Sequence, residues 1–570
     1  MRRRRIESLA VDAGAAPPEF VHGVASFDPL ADGVLVWTRV SGPGGRGPAT
    51  TVEVAWFVAQ VRGTTSSTVV AQGVASTGPA VDGCVTVEVD GLAPATTYHY
   101  WFESGGVVSP VGRTRTLPSG PTPWARVAVT CCADRSQGPL PTYRAIADDE
   151  VDLVLHLGDY LYEEPKGPYP VEPDGVVTTL ADYRGRQAHT RLDADLQAMH
   201  RRHPVVFVWD DHDVADNTWR HGAKAHDPDT QGPWSERLAA AAQARQEWLP
   251  ARLVDPDDLL SMRRSFALGD LAELVVLDTR VPGRDLQAGD PGAKAIDDPD
   301  RHLLDPAQRR WAHERVRDAA RPWTLLASAV TVSELELPIP AGSMVDSAMP
   351  SGYRVVDGRA LCTDEWDGYP AERAALCEAI EERGPGVVVL SGDVHSNWAT
   401  YLRAGPDSPV VAAEMVCTAV SSTPMGDQLP PGWRRAAERV ADHVPMQVWH
   451  DLEHHGYLRV DVRPEQVRGD WIAVEEGLRG PVVEVLASWS LDRSLPPRWA
   501  PAVPSSSLAA FDDVVRPGLR SASIPSVDLD AVATPRRRSG AIGAALATVV
   551  VLVVGGALWW ARRLRAQGDR

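Results

Sequence analysis

Short, continuously apolar segments alternate with helical stretches between residues 124 and 485. The apolar segments are ARVAVT, VDLVLHL, PVVFVW, LAELVVL, WTLLASA and GVVVLSG. Leu180–His200, Pro306–Ala320 and Ala371–Arg383 are predicted as helices between or after them. Strands that are apolar along their whole length are buried on both faces, as in sheets covered by helices. The pattern therefore predicts a layered α/β domain over residues 124–485.

Four of these predicted strands end in side chains that can bind metal ions. The motifs are Cys131-Cys132, Gly158-Asp159-Tyr160-Leu161-Tyr162, Asp210-Asp211-His212-Asp213 and Gly392-Asp393-Val394-His395. A single aspartate at a strand end is commonly a helix cap or a turn residue. Four such motifs at the same position favour a ligand site, because ligands bind where the strands of an α/β sheet end. The mixture of carboxylate, imidazole and thiol groups suits a dinuclear site with one soft-to-borderline ion and one hard ion.

Residues 20–118 have a different pattern, in which short β-type segments are separated by turns. Gly33–Val40, Thr51–Gln60 and Cys84–Gly91 are rich in β-branched and aromatic residues. The segment DGLAPATTYHYWF resembles a loop and strand of a fibronectin-like sandwich, with Tyr98 at the tyrosine-corner position. We predict a small fibronectin- or Ig-like β-sandwich that serves packing or shapes a substrate site.

The segments outside these two regions predict a membrane anchor. Residues 541–561 contain no charge and would span about 31 Å as a helix, which matches a bilayer core. Residues 488–538 are rich in Pro, Ser and Arg, and we predict a flexible linker there. A disordered tail is predicted at 1–19 and a charged tail at 562–570. Three arginines precede the apolar segment and four follow it, so the side of the membrane on which the domain lies is open.

The charge of the chain excludes a general nucleic-acid binder. The 57 basic and 76 acidic residues give a formal net charge of −19. Nucleic-acid binding needs a basic surface that displaces counterions from phosphates. We therefore expect no nucleic acid as a partner, and the segment 541–561 predicts a membrane as one.

Eight segments follow one known family in order and spacing. They are FVHGVASFDPLADGVLVWTRV, VTCCADR, HLGDYLYE, TLADYRGRQAH, WDDHDV, LAELVVLDTR, DEWDGYP and SGDVHSNW. Over about residues 20–485 the chain thus resembles the PhoD-type alkaline phosphatases. The resemblance implies a four-layer α/β/β/α metallophosphatase core that follows an N-terminal sandwich domain. It also implies Fe³⁺ and Ca²⁺ as cofactors, although the ligand types do not exclude Zn²⁺ or Mn²⁺.

The same resemblance implies a set of metal ligands. By position in the motifs, these are Cys132, Asp159, Tyr162, Asp211, Asp393 and His395. Asp159 would bridge the two ions, and Cys132 and Tyr162 would bind the ferric ion as anions. Asp211 would bind the calcium-like ion. Asp393 and His395 would bind one ion each, with His395 on the iron side.

Two further residues take catalytic roles by the same resemblance. His212 would be the general acid, and Asp213 is a candidate to orient it. Cys131 is a departure, because serine is usual at this position, and its oxidation together with Cys132 would disable the site.

Three residues near the motifs have two interpretations each. Arg280 either contacts a substrate phosphate or makes a structural contact with Asp278. Trp366 lines the mouth of the pocket or, by preference, packs in the core. His156, inside an apolar strand, is a metal ligand or, by preference, a core histidine with a hydrogen-bond partner.

These features predict a metal-dependent phosphoric ester hydrolase that acts on monoesters, diesters or both. The attacking group would be a metal-activated hydroxide at the dinuclear site. One alternative is a phosphodiesterase on the same scaffold that prefers lipid or nucleotide diesters. Another is a non-catalytic, membrane-anchored binding module.

Overall fold

The computed structural model describes residues 19–62, 66–224, 226–335, 353–356, 359–428, 438, 441–442, 444, 446–478 and 480–502. The strands in this part of the chain are β1 (Val24–Phe27), β2 (Gly33–Arg39), β3 (Val52–Arg62), β4 (Ser66–Thr77), β5 (Cys84–Asp90), β6 (Thr97–Ser104), β7 (Val107–Val108), β8 (Gly112–Arg115), β9 (Ala125–Thr130), β10 (Leu153–His156), β11 (Pro204–Phe207), β12 (Arg264–Leu268), β13 (Ala272–Val276), β14 (Trp323–Ala327), β15 (Tyr353–Val356), β16 (Arg359–Cys362), β17 (Val387–Ser391), β18 (Asn397–Arg403), β19 (Val410–Val416), β20 (Gln447–Asp451), β21 (Gly456–Val462), β22 (Gln466–Glu475), β23 (Val482–Asp492) and β24 (Trp499–Pro501). The helices are α1 (Pro141–Asp148), α2 (Leu180–Thr190), α3 (Ala194–Arg202), α4 (Pro228–Gln231), α5 (Trp234–Trp248), α6 (Pro306–Arg317) and α7 (Pro370–Arg383).

Most of these strands form two large mixed sheets with parallel centres. Within the described residues, the first sheet has ten strands in the order β24-β23-β22-β21-β9-β10-β11-β1-β2-β5. The second sheet has seven strands in the order β12-β13-β14-β17-β19-β18-β20. Strands β9, β10, β11 and β1 are parallel in the first sheet, and β13, β14, β17 and β19 in the second. Parallel strands end at the same edge of a sheet, so the motifs that follow β9, β10 and β11 are neighbours.

The two sheets face each other across a shared apolar core. Leu325 of β14 and Leu155 of β10 are fully buried in the same cluster. The adjacent Leu326 belongs to a second cluster, which it shares with residues of α6 and α7. Next to Leu155, His156 contacts Tyr143 of α1. Because alternate residues of a strand point to opposite faces, the central strands of each large sheet have the other sheet on one side and helices on the other. This is the layered α/β arrangement that the sequence pattern predicts.

The N-terminal β-sandwich is confirmed, but it shares a sheet with the α/β domain. Strands β3, β4, β6, β7 and β8 form a third sheet. Its Val54 and Tyr100 pack in one core with Val36 of β2 and Val87 of β5. Strands β1, β2 and β5 belong to the first sheet, in which β1 pairs with β11. The tyrosine corner is also present, because the backbone N–H of residue 93 donates to Tyr98 Oη at 2.8 Å.

Two predicted boundaries are wrong. The linker was predicted from residue 488, but β23 continues to Asp492, and β24 pairs with β23 in the first sheet. The helix predicted over 180–200 is two helices, α2 and α3. Asp193 separates them because its side chain accepts the N–H groups of residues 195 and 196 and so caps α3.

Several predictions fall on residues that the structure does not describe. The tail at 1–19 apart from Glu19, the linker from residue 503 onward, the apolar segment 541–561 and the tail 562–570 lie outside the described residues. Within the part of the chain that is described, no helix has the length and apolar character needed to cross a membrane.

Candidate metal centre

The four strand-end motifs converge on one cleft. The predicted site residues that line it are Asp159, Tyr162, Asp211, His212, Asp393 and His395. Cys132 lies beside them, since its Sγ is within 4.8 Å of ligand atoms of Asp159 and His395. These residues follow β9, β10 and β11 of the first sheet and β17 of the second. The sheet edges therefore gather the predicted ligands around one cavity.

Four of these residues have a left-handed backbone. The φ angles are +56° at Cys132, +53° at Asp159, +67° at Asp393 and +49° at His395. Residues other than glycine rarely adopt this region, and such conformations cluster at functional sites, where the surrounding structure enforces them. Each of these residues lies just beyond the strand that precedes it. The chain thus turns sharply where the strand ends.

Gly158 allows the first two carboxylate-bearing loops to approach each other. Its φ is +101°, and a Cβ atom there would lie 2.3 Å from the backbone nitrogen of Asp210. No other residue type fits this contact without a backbone shift. Glycine before Asp159 therefore brings the Asp159 loop against the Asp210–Asp211 loop.

Cys132, Asp159 and His395 form the first group of candidate ligands. The Nδ1 atom of His395 donates to the backbone oxygen of Thr423 at 3.0 Å, so its Nε2 atom carries the lone pair. Tyr162 Oη lies 3.3 Å from this Nε2 atom. This part of the cleft thus brings together a thiol, an imidazole nitrogen, a phenol and a carboxylate. This donor set fits a transition-metal ion.

The second group consists of carboxylates. Ligand atoms of Asp159, Asp210, Asp211 and Asp393 all lie within 4.8 Å of one another. Asp159 Oδ2, Asp210 Oδ2 and Asp211 Oδ1 are buried and have no hydrogen-bond partner among the described residues. Buried carboxylate oxygens without partners are costly, and a hard cation would satisfy them. The residues present therefore fit a second ion, with Asp159 shared by both groups.

The raised pKa values of these groups are a further reason to expect bound cations. Burial, and then the Asp211 carboxylate, raise the pKa of Asp159 well above its ordinary value. Burial, and then Glu365, do the same for the pKa of Asp393. Burial also raises the pKa of the Cys132 thiol and the Tyr162 phenol. A bound cation reverses this, because it stabilises the anionic form of each ligand.

Asp210 was not predicted as a ligand, and Cys131 does not join the site. Asp210 is the first residue of an Asp-Asp pair, of which the sequence analysis assigned only the second. The Cys131 thiol instead lies 3.5 Å from the backbone oxygen of Thr418 and is fully buried. All six cysteines of the chain are buried and free, so Cys131 and Cys132 are not joined by a disulfide.

His212 is held by a residue that the sequence analysis missed. Its Nδ1 atom lies 2.7 Å from Glu163 Oε2. Its ring stacks on that of Tyr162, with 4.2 Å between centroids. Burial lowers the pKa of His212, but the carboxylates of Glu163, Asp211 and Asp159 outweigh it, and the pKa is raised well above its ordinary value. The only available signal for Glu163 was its position directly after Tyr162.

The prediction that Asp213 orients His212 is wrong. Asp213 Oδ2 accepts the backbone N–H groups of Asp159 at 2.8 Å and Asp210 at 2.9 Å. Asp213 Oδ1 accepts that of Tyr160 at 3.0 Å. Glu163 occupies the place beside the imidazole. Asp213 thus holds the loops that carry the candidate ligands, and it does not bind the His212 ring.

The prediction that Arg280 contacts substrate is also wrong. Its side chain is fully buried and does not line the cleft. It binds Asp210 through Nε and lies 2.6 Å from Asp364 through Nη1. Its Nη2 atom lies 3.4 Å from Asp393 Oδ1 and 3.6 Å from Asp211 Oδ1. The predicted alternative, a contact with Asp278, involves only the Arg280 backbone N–H. Arg280 therefore neutralises charge on these four carboxylates from the buried side of the cleft.

Trp366 belongs to the core, which is the preferred interpretation, and its alternative placement at the pocket mouth is wrong. It is fully buried in the cluster between the second sheet and α7, and its Nε1 atom donates to Ser328 Oγ at 3.3 Å. His156 is a core histidine as preferred, since its Nε2 atom lies 2.8 Å from Tyr143 Oη. Other lining residues were not predicted. They include Lys166, Asn217, Asp364 and Glu365.

Comparison with known proteins agrees with this geometry. Residues 127–471 match the family described as PhoD-like phosphatase, and residues 7–118 match its N-terminal domain. Alkaline phosphatase D of Bacillus subtilis (strain 168) is 34% identical over 495 residues, which cover 81% of this chain and 79% of that protein. A solved structure of PhoD superimposes with a TM-score of 0.74 at 30% identity, covering 87% of this chain and 95% of that one. The chain therefore belongs to the PhoD-like phosphatase family.

Proposed function

We propose that this chain, an alkaline phosphatase D homologue and phosphoric ester hydrolase, cleaves its substrates at a two-metal centre in the cleft described above. The observation that carries the proposal is the pair of ligand groups that share Asp159, in which three buried carboxylate oxygens have no hydrogen-bond partner among the described residues. Water activated at the metal centre is the proposed nucleophile.

One ion would be held by Cys132, Tyr162 and His395, and the other by Asp211 and Asp393, with Asp159 on both. Asp210 offers a further oxygen to the second ion. Metal ions at this position supply Lewis acidity toward water and charge neutralisation at the phosphoryl oxygens. The donor types favour Fe³⁺ beside the thiol and phenol and Ca²⁺ among the carboxylates, with Zn²⁺ or Mn²⁺ as alternatives.

The protein's own groups then act on the two ends of the reacting ester. His212 faces the cleft and donates a proton to the leaving oxygen, a step that contributes about 10²–10⁴-fold to such reactions. Lys166, an exposed cation at the cleft, is available to a phosphate oxygen on the solvent side. The Asp213 carboxylate keeps the loops of Asp159 and Asp210 together while the substrate exchanges.

Replacement of Asp159 tests the proposal. The Asp159→Asn variant should fold, retain less metal and lose hydrolysis of both p-nitrophenyl phosphate and bis-p-nitrophenyl phosphate. Asp148→Asn is the matched control, since Asp148 is an exposed residue of an ion pair with Arg144. Full activity and full metal content in Asp159→Asn contradict the proposal. Visible absorption of the wild-type protein reports an Fe³⁺ ion bound by thiolate or phenolate.

We further propose that residues 541–561 attach the enzyme to a membrane. The support is the uncharged apolar segment with arginines on both flanks. Full-length protein should sediment with membranes and resist carbonate extraction, whereas a variant that ends at residue 540 should not. A full-length protein found only in the soluble fraction contradicts attachment. Attachment would make lipid phosphodiesters accessible, and turnover of a vesicle-embedded diester tests that substrate preference.

A further inference from the structure

Glu163 is a buried carboxylate with both oxygens engaged. Its Oε2 atom lies 2.7 Å from His212 Nδ1, and its Oε1 atom accepts the backbone N–H of Asp216 at 2.8 Å. The residue is 2% exposed. Its position is therefore set by the backbone of the loop that also carries His212, and its contact with the imidazole does not depend on solvent.

The imidazole of His212 is constrained on two sides. Glu163 binds Nδ1, and Tyr162 stacks against the ring face at an interplanar angle of 29°. Since Nδ1 is engaged, Nε2 is the ring nitrogen left for the cleft that His212 lines. Rotation of the ring about its Cβ–Cγ bond would break the contact with Glu163. The two contacts thus aim one nitrogen at the position of the substrate.

A proton donor aimed in this way matters for only some phosphate esters. When the bond between phosphorus and the ester oxygen breaks, its electron pair goes to that oxygen, which takes the proton of Nε2. The water oxygen forms the new bond to phosphorus, and a proton from that water returns to the imidazole through solvent. A nitrophenolate leaves readily without the proton, whereas an alkoxide does not.

We propose that Glu163 is a positioning residue that aims His212 Nε2 at the leaving oxygen. This inference rests on the proposed hydrolase function. Its consequence is a dependence on the leaving group, because the Glu163–His212 pair acts on esters of aliphatic alcohols and has little to do for aryl esters.

The test compares leaving groups in wild type, Glu163→Gln and His212→Ala. Glutamine keeps the length of the side chain and an oxygen for the Asp216 N–H group, but it removes the charge beside Nδ1. The ester series runs from p-nitrophenyl through phenyl to glyceryl phosphate. Glu163→Gln should lose about 10²-fold or more of kcat on glyceryl phosphate and less than about 10-fold on p-nitrophenyl phosphate. Glu164→Gln, an exposed neighbour, is the matched control and should match wild type across the series.

Two further results define the inference. The double variant Glu163→Gln/His212→Ala should lose no more kcat on glyceryl phosphate than His212→Ala alone, because both substitutions remove the same function. Metal content of Glu163→Gln should equal that of wild type, because Glu163 belongs to none of the groups of candidate ligands. If Glu163→Gln is too unstable to purify, Glu163→Asp takes its place and must show the same leaving-group dependence.

An equal loss on all esters, or a loss that tracks metal content, overturns the inference and assigns Glu163 a structural role. A wild-type enzyme that cleaves aryl esters but no alkyl ester also overturns it, because a positioned proton donor would then have no effect on the esters that need one. A wild-type enzyme that binds metal and hydrolyses no ester at all contradicts the proposed function itself. The outcomes are therefore distinguishable.

Discussion

Replacement of Asp213 by asparagine should weaken the whole metal centre without acting on His212. The Asp213 carboxylate accepts backbone N–H groups of Asp159, Tyr160 and Asp210 at 2.8–3.0 Å, and that of Leu161 at 3.4 Å. Asparagine has one oxygen and one NH₂ group. Whichever way it turns, two of the four backbone donors face another donor. Each buried donor without an acceptor costs about 1–3 kcal/mol, so the free energy of unfolding should fall by about 2–6 kcal/mol.

The measurement is urea unfolding at pH 8, followed by metal analysis of the folded variant. Burial raises the pKa of Asp213 to about 7, so the wild-type carboxylate is ionised at this pH. Asp148→Asn is the matched control, because it removes the charge of an exposed i,i+4 pair worth a few tenths of a kcal/mol. Metal content should fall in Asp213→Asn, since Asp159 and Asp210 lose their common anchor. Unchanged stability and metal content, with a loss confined to alkyl esters, would refute this reasoning and restore Asp213 as the partner of His212.

Three other perturbations follow from the packing around the cleft. Gly158→Ala should lower metal content and reduce the free energy of unfolding by about 1–3 kcal/mol, because its Cβ would meet the Asp210 backbone; this is checked by metal analysis and urea unfolding. Trp366→Phe should reduce stability by about 1–3 kcal/mol and leave KM unchanged, since the indole packs in the core; steady-state kinetics with an unfolding curve decide it. Burial lowers the pKa of His156 to about 4 and of His203 to about 3. Below about pH 6.5 the two histidines bind protons in the unfolded chain but not in the folded state. Their contribution to the free energy of unfolding is therefore fully present above that pH and should fall by about 1.4 kcal/mol per pH unit for each histidine, down to its folded pKa. Urea unfolding at pH 7 and pH 5 measures the difference.

The ligands were predictable because parallel strands end at one edge of a sheet. An apolar run followed at once by Asp159 or Asp211 places the carboxylate at that edge, whatever the loops do. The same logic explains why Cys132 and His395 were found although they are 263 positions apart in the sequence. The apolar pattern of the strands and the positions of their ends were therefore sufficient to predict this part of the site.

The partners of those ligands were not predictable in the same way. Glu163 and Asp213 are both acidic, and both lie near His212 or its loop in sequence. Only the turn after β10 decides which one reaches Nδ1. Arg280 follows a buried strand as a substrate-binding residue would, but its side chain turns inward toward Asp210 and Asp364. Such choices depend on loop conformation, which the apolar pattern does not encode.

The end of the domain was missed for a different reason. Strands β23 and β24 are the last two strands at one edge of the first sheet, where side chains are more exposed to solvent. Val482 is 56% and Val483 50% exposed, so the apolar alternation of β23 is diluted. Serine and proline after residue 488 then resemble a linker in composition, although backbone pairing and the packing of Trp489 and Trp499 keep this segment in the sheet.

The parallel pairing of β1 with β11 has a consequence for how the enzyme is made. Ser26 lies beside Pro204, so the first strand leaves the ribosome about 180 residues before the partner that completes its sheet. Before β11 is synthesised, β1 and β2 can pair only with each other and with β5 among the strands of the first sheet. When β11, the strand that precedes Asp210 and Asp211, is synthesised, its neighbour β1 is already present. Pairings this distant in sequence slow folding. We expect the nascent N-terminal sandwich to offer the edge on which β11 docks, and its removal would leave β11 as an open edge prone to aggregation.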